Sequence, residues 1–138
     1  MKDLFEIIPV GMVHKKDQSV FIEIDEAYGD GLLGLDQFSH ILVFAWFHEN
    51  DTPEKRKTLR VHPRGDKANP LTGVFATRSP ARPNLIALFT CEILSIEGNV
   101  IYVKDIDAIH GTPVIDIKPY IPRMDAVSGA RVPGWVKG

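Results

Sequence analysis

Apolar residues along this chain fall into short runs cut by glycine, proline, aspartate and asparagine, and the runs have the length of strands. His40–Phe47 (HILVFAWF) is apolar throughout after its first residue, the pattern of a strand buried on both faces or set into the wall of a barrel. Ser19–Ile24 (SVFIEI) is β-branched and partly alternating. Phe5–Val13 is largely apolar and broken by Pro9 and Gly11, and Leu71–Ala76 is a shorter run. Leu85–Leu94 is apolar with Thr90 and Cys91 inside it, Asn99–Ile106 follows a turn at Glu97-Gly98-Asn99, and Thr112–Ile117 is halted by Pro119. Helical periodicity is weak. Asp30–Phe38 has room for one or two turns, and Thr52–Thr58 opens like a short helix with Thr52 as cap and Pro53 in the first turn. The pattern predicts a mainly β fold: a small β-barrel-like single domain of six to seven short strands with one or two short helices. The domain is expected over residues 1–124, followed by a Gly/Pro-rich C-terminal tail over 125–138 that is loosely held unless Trp135 docks.

A length of 138 residues suits one such core, with roughly two-thirds of the unfolded surface buried. No apolar run approaches the ~20 residues of a membrane span. The first ten residues, MKDLFEIIPV, set acidic side chains where a signal peptide would be apolar, which argues against export and for a cytoplasmic protein. Cys91 has no second cysteine to pair with and reads as a small core residue inside LIALFTCEIL.

Charge alters this bland picture. Residues 1–53 carry three Lys/Arg against ten Asp/Glu, whereas residues 54–82 carry eight against two. A basic block on an otherwise acidic chain is what a local site for a phosphate or polyanion requires, although a solvated loop has the same composition. Within it, Gly73–Asn84 (GVFATRSPARPN) holds two arginines and two prolines among small polar residues, a segment suited to presenting guanidinium forks from a rigid loop.

Other motifs fail on context. Gly29–Gly34 (GDGLLG) matches G-x-G-x-x-G, but that fingerprint must open a crossover helix, and here the chain passes within six residues of Gly34 into a strand. The glycines serve turns instead. The histidines at 14, 40, 48, 62 and 110 show no short ligand spacing, so no metal site is expected. Asp105, Asp107 and Asp116 are candidates for an acid–base pair, with Asp105 and Asp107 equally suited to capping a turn at a strand end.

Three segments, in order, resemble the TsaA-like (TrmO or YaeB-like) family: Leu35–His40 (LDQFSH) with the run ending at Phe47-His48, the stretch Gly73–Asn84, and His110–Tyr120 (HGTPVIDIKPY). Together they reach across most of residues 30–122. The resemblance implies a β-barrel-like methyltransferase that binds S-adenosylmethionine (SAM), pairs as a homodimer, and methylates N6 of threonylcarbamoyladenosine next to the anticodon of tRNA. It carries the cofactor-binding role onto Phe47, His48, Arg78, Leu88, Ile115, Asp116, Ile117 and Lys118. The residue types suit it: Phe47, Leu88 and Ile115 can cover an adenine, Arg78 can take a carboxylate bidentately, and Asp116 can accept from a ribose hydroxyl.

His48, Asp116 and Tyr120 are candidates for taking the N6 proton. Lys55, Arg56, Lys57, Arg60, Arg64, Lys67 and Arg82 are candidates for the tRNA-binding face. Plainer roles stay open: Arg78 bracing its loop, His48 ending a strand, Lys118 and Tyr120 packing the barrel mouth. The chain departs from the family where Asn84-Leu85-Ile86-Ala87 replaces N-P-I-G, in the loop after the first strand (Gly11–Gln18), which lacks the arginine-glutamine-proline element of many members, and in having no long C-terminal extension. These departures bear on the substrate, and leave a non-catalytic SAM-binding module or a small-molecule methyltransferase as alternatives.

Overall fold

Strict alternation of buried and outward positions along strand β3 (His40–Trp46) decides the architecture of the computed structural model, which describes residues 3–136. Ile41, Val43 and Ala45 point inward and are fully buried, while His40, Leu42, Phe44 and Trp46 face out. The same period of two runs through β1 (Gly11–Lys16), β2 (Ser19–Ile24), β6 (Ile86–Glu97), β7 (Val100–Val103) and β8 (Pro113–Pro119). These six strands close an antiparallel barrel in the order β1-β2-β7-β6-β3-β8. Its interior is filled by side chains from every strand, among them Val13, Ile22, Val43, Cys91, Ile101 and Val114, none more than 2% exposed. A two-stranded ribbon, β4 (Arg60–Val61) with β5 (Thr72–Gly73), stands outside the barrel.

Local chemistry sets the corners. Asp17 and Gln18 link β1 to β2 with φ of 52° and 67°, the two left-handed residues of a type I′ hairpin. Gly11 is needed where β1 meets β2, because a Cβ there would lie 2.5 Å from the Glu23 carbonyl oxygen. Gly34 (φ 87°) separates the 3-10 turns Glu26–Leu32 and Leu35–Gln37, so the glycine-rich segment makes turns and opens no crossover helix. Helix α1 (Pro53–Arg56) begins as expected, with Thr52 Oγ1 accepting from the Lys55 N–H at 3.2 Å. A second four-residue helix, α2 (Pro122–Asp125), follows β8.

Several boundaries differ from the sequence reading. The strand expected over Phe5–Val13 starts only at Gly11; Leu4 and Phe5 lie 95% and 90% exposed, since Pro9 lacks an N–H and residues 3–9 join no ladder. The run Leu71–Ala76 pairs over two residues, Val74 N–H adds one more bond in the same register to the Leu59 carbonyl at 2.9 Å, and the chain then turns at Val74–Ala76, where the Thr77 N–H bonds back to Val74 O at 3.1 Å. The strand from Asn99 ends at Val103, where the Lys104 N–H crosses to Glu92 O. The C-terminal tail is turned back far enough to half-bury Trp135.

Candidate functional site

The stretch Gly73–Asn84 folds as a series of side-chain-closed turns. Thr77 Oγ1 donates to Val74 O at 2.9 Å and accepts from the Ser79 N–H at 3.2 Å; Ser79 Oγ then accepts from the Ala81 N–H at 3.1 Å. Arg82 locks the loop from inside, its Nη1 donating to the carbonyls of Thr77 and Ser79 at 3.1 Å each. Arg56 locks it from outside: its Nε donates to Pro83 O at 2.9 Å while its guanidinium lies 5.4 Å over the Trp46 ring. Arg78 differs from both. It is exposed, and among the described residues its guanidinium takes no hydrogen bond and no ion pair.

Arg78 projects where the loop meets the outer wall of the barrel. A groove of about 860 Å³ opens there, floored by Ile86–Thr90 of β6 and bounded by Phe47, Thr77, Arg78, Pro80, Arg82 and Asp105–Asp107. Three of the expected cofactor residues, Phe47, Arg78 and Leu88, therefore share one groove. His48 lines a smaller neighbouring cavity of about 200 Å³, which has Phe47, Pro80, Ala87, Phe89 and Asp107 in common with the groove or its floor. Asp105 does cap a turn, Oδ1 accepting from the Ile106 N–H at 2.9 Å, yet it also borders the groove together with Asp107. Below the floor, Cys91 points into the barrel; burial, and then the negative charge of Asp105, push its thiol up to about 11, so it stays protonated and unreactive.

The remaining expected cofactor residues lie on the other side of β3. Strand register aligns Leu88 of β6, Phe44 of β3 and Asp116 of β8 in one row across the outer wall. A bulge between Phe44 and Ala45 absorbs Ile115. Asp116 pairs with Lys118 at 3.5 Å on the surface, Ile117 faces the turns around Gly34, and Tyr120 stacks edge-on to His40 with ring centroids 6.3 Å apart. Within a single copy of the chain these groups do not border the groove.

The basic block divides. Arg56 and Arg82 are committed to the loop, and Lys55 Nζ donates to Asn50 Oδ1 at 3.0 Å. Arg64 and Lys67 line a second, larger cavity of about 1100 Å³, which meets the first at Thr77, Arg78 and Pro80. Phe75 and Trp135 also line it. The sequence reading missed both aromatics as site residues. Phe75 sits inside the arginine-rich stretch and within the strand predicted over Leu71–Ala76, where an apolar residue passes for core; Trp135 is linked to it only through the fold.

Among the described residues no three metal-ligating side chains gather, and no helix is long and apolar enough to cross a membrane.

The groove fits the parts of SAM: apolar cover at Phe47, Ile86 and Leu88, a free guanidinium for a carboxylate, and two carboxylates able to accept from hydroxyls or face a cation. The comparisons point the same way. The tRNA-methyltransferase O N-terminal domain matches residues 5–126. A Pyrococcus horikoshii protein named "Probable S-adenosyl-L-methionine-binding protein" is 50% identical over 123 residues, covering 89% of this chain and 88% of that protein. The human protein named tRNA (adenine(37)-N6)-methyltransferase is 45% identical over 102 residues, 74% of this chain and 22% of that protein. A crystal structure of TrmO superposes with a TM-score of 0.77 at 29% identity, covering 99% of this chain and 66% of that one. The chain thus spans somewhat less than two-thirds of the length of that solved structure.

Proposed function

The chain belongs to the tRNA-methyltransferase O N-terminal domain family, and on that footing we propose that it is a SAM-dependent methyltransferase acting on N6 of an adenine in tRNA. The observation that carries the reading is Arg78: a guanidinium without a partner among the described residues, on a loop held by Arg82 and Arg56, bordering a groove lined also by Leu88 and Phe47. When bound, SAM supplies a methyl group on a cationic sulfur that leaves as a neutral thioether. The protein's part is then binding, alignment and exclusion of water.

Arg78 takes the carboxylate through two parallel N–H bonds. Phe47, Ile86 and Leu88 cover the adenine, and Asp105 and Asp107 offer acceptors to the ribose hydroxyls or a counter-charge to the sulfonium. Of the three candidates for the N6 proton we favour a ring nitrogen of His48, which lines the cavity beside the groove, whereas Asp116 is paired with Lys118 and Tyr120 packs on His40. The finer target, threonylcarbamoyladenosine next to the anticodon, is likewise part of the proposal.

We further propose that the working form is a homodimer. The expected cofactor residues lie on both sides of β3, and the wall between them is apolar: Leu42, Phe44 and Trp46 are half-buried, and Ile86 and Leu88 are 43% and 37% exposed. A twofold across this wall would cover those side chains and bring Ile115–Lys118 of one copy toward the groove of the other. Nucleoside mass spectrometry of tRNA from cells with and without the gene tests the activity: loss of one N6-methylated adenosine on deletion supports it, and an unchanged nucleoside profile opposes it.

A further inference from the structure

The second cavity is built from two loops that are each closed by their own hydrogen bonds and each expose one kind of side chain. In the first, Val74 is buried and its N–H and carbonyl are both bonded, to Leu59 O (2.9 Å) and from the Thr77 N–H (3.1 Å). The turn is fixed, yet Phe75 at its apex stands 82% exposed. In the second, His62 Nδ1 donates to Asn69 O and Asn69 Nδ2 donates to Pro63 O, both at 2.9 Å. That closure holds Arg64 in a left-handed conformation, φ 60°, which is uncommon for a side chain of its size. Arg64, Lys67 and Phe75 thereby border one cavity, with Trp135 of the C-terminal tail as a further aromatic in its lining.

An exposed phenyl ring on a rigid turn gains nothing from folding. It is, however, the ready-made face on which a nucleobase stacks, and cations beside it suit the flanking phosphates. The cavity also shares Thr77, Arg78 and Pro80 with the cofactor groove, so a nucleotide held in it lies next to the methyl donor's site. We propose that this cavity seats a single-stranded nucleotide of the RNA substrate, with Phe75 as the stacking platform, Trp135 as a second aromatic wall, and Arg64 and Lys67 on the phosphates. The proposal rests on the tRNA reading above and adds to it the residues that position the RNA.

Stacking and phosphate contact separate by their salt dependence. The test is binding of a fluorescent anticodon stem-loop RNA to the full-length, SAM-saturated protein across a range of salt concentrations. Phe75→Ala should weaken binding about 5- to 150-fold without changing the slope of log K against log salt, and Phe75→Trp should restore it. Trp135→Ala should act in the same direction. Arg64→Gln should lower the slope by roughly 0.7–0.9. SAM affinity, measured in parallel, should be unchanged in Phe75→Ala. If the wild type binds RNA and neither aromatic variant weakens it, the stacking site is wrong while the tRNA reading stands. If the wild type binds SAM but not the RNA at low salt, the tRNA reading falls and this inference falls with it.

Discussion

Arg82 and Thr77 are joined by a hydrogen bond of 3.1 Å from the guanidinium Nη1 to the Thr77 carbonyl, and the same nitrogen reaches Ser79 O at the same distance. Two arginines four residues apart are thereby given opposite duties: Arg82 turns inward to hold the loop, and Arg78 is left free at the groove. Arg82→Ala leaves both carbonyls short of a partner and should destabilise the protein by ~1–3 kcal/mol in urea unfolding. Arg78→Ala should leave the unliganded stability unchanged within ~0.5 kcal/mol, as for other exposed positions, and weaken SAM about 10- to 150-fold by calorimetry, the loss expected of a charged hydrogen-bond partner. Equal loss of stability in the two variants would mean that both arginines are braces.

The basic block should divide along the same line. Arg56 is tied to Pro83 O and stacked on Trp46, so Arg56→Ala should lower the melting temperature. Lys57 and Arg60 are exposed, and replacing them should cost little stability while flattening the salt dependence of tRNA binding by roughly 0.7–0.9 for each phosphate no longer neutralised. An unchanged salt slope would mark these two as solvated charges only.

Cys91 gives a pH prediction with a definite sign. Its thiol is raised in the folded state to about 11 from an ordinary value of 9.0, first by burial and then by Asp105. The folded state thus retains a proton that the unfolded chain releases. The contribution is fully present below about pH 9 and is lost as pH rises toward and through about 11. Urea midpoints measured from pH 8 to 11 should fall more steeply for the wild type than for Cys91→Val, which keeps an apolar group in the barrel. Parallel curves would place the thiol in contact with water.

The proposed dimer can be split at its centre. Phe44 lies between Leu88 and Asp116 on the outer wall, so Phe44→Glu should shift the sedimentation coefficient from dimer to monomer. SAM affinity should fall with it, although Phe44 borders no part of the groove within one copy. A monomeric wild type that binds SAM fully would remove the need for a second chain.

The barrel was legible in the sequence to the extent that alternation and turn chemistry act locally. Ser19–Ile24, the strand from His40 and the Thr52 cap lie where their residues place them. Phe5–Pro9 carried strand composition but no partner, and pairing is a property of the whole sheet. The grooves were legible only in part. Arg78 and Phe47 were recognisable through a motif, but the inward turn of Arg82 depends on carbonyl positions three and five residues back. Phe75 and Trp135, sixty residues apart in the chain, come to one cavity only after the tail folds back to line it together with the Val61–Gly65 segment.

Methyl transfer itself is the central claim, and it can be read directly. Purified protein, SAM carrying a deuterated methyl group, and tRNA bearing threonylcarbamoyladenosine are incubated together, and the tRNA is digested and analysed by mass spectrometry. The account predicts one labelled methyl on N6 of that adenosine, formed by the wild type and reduced at sub-saturating SAM in Arg78→Ala. Binding of SAM with no labelled nucleoside in any tRNA, from a sample shown to be folded and dimeric, would contradict it.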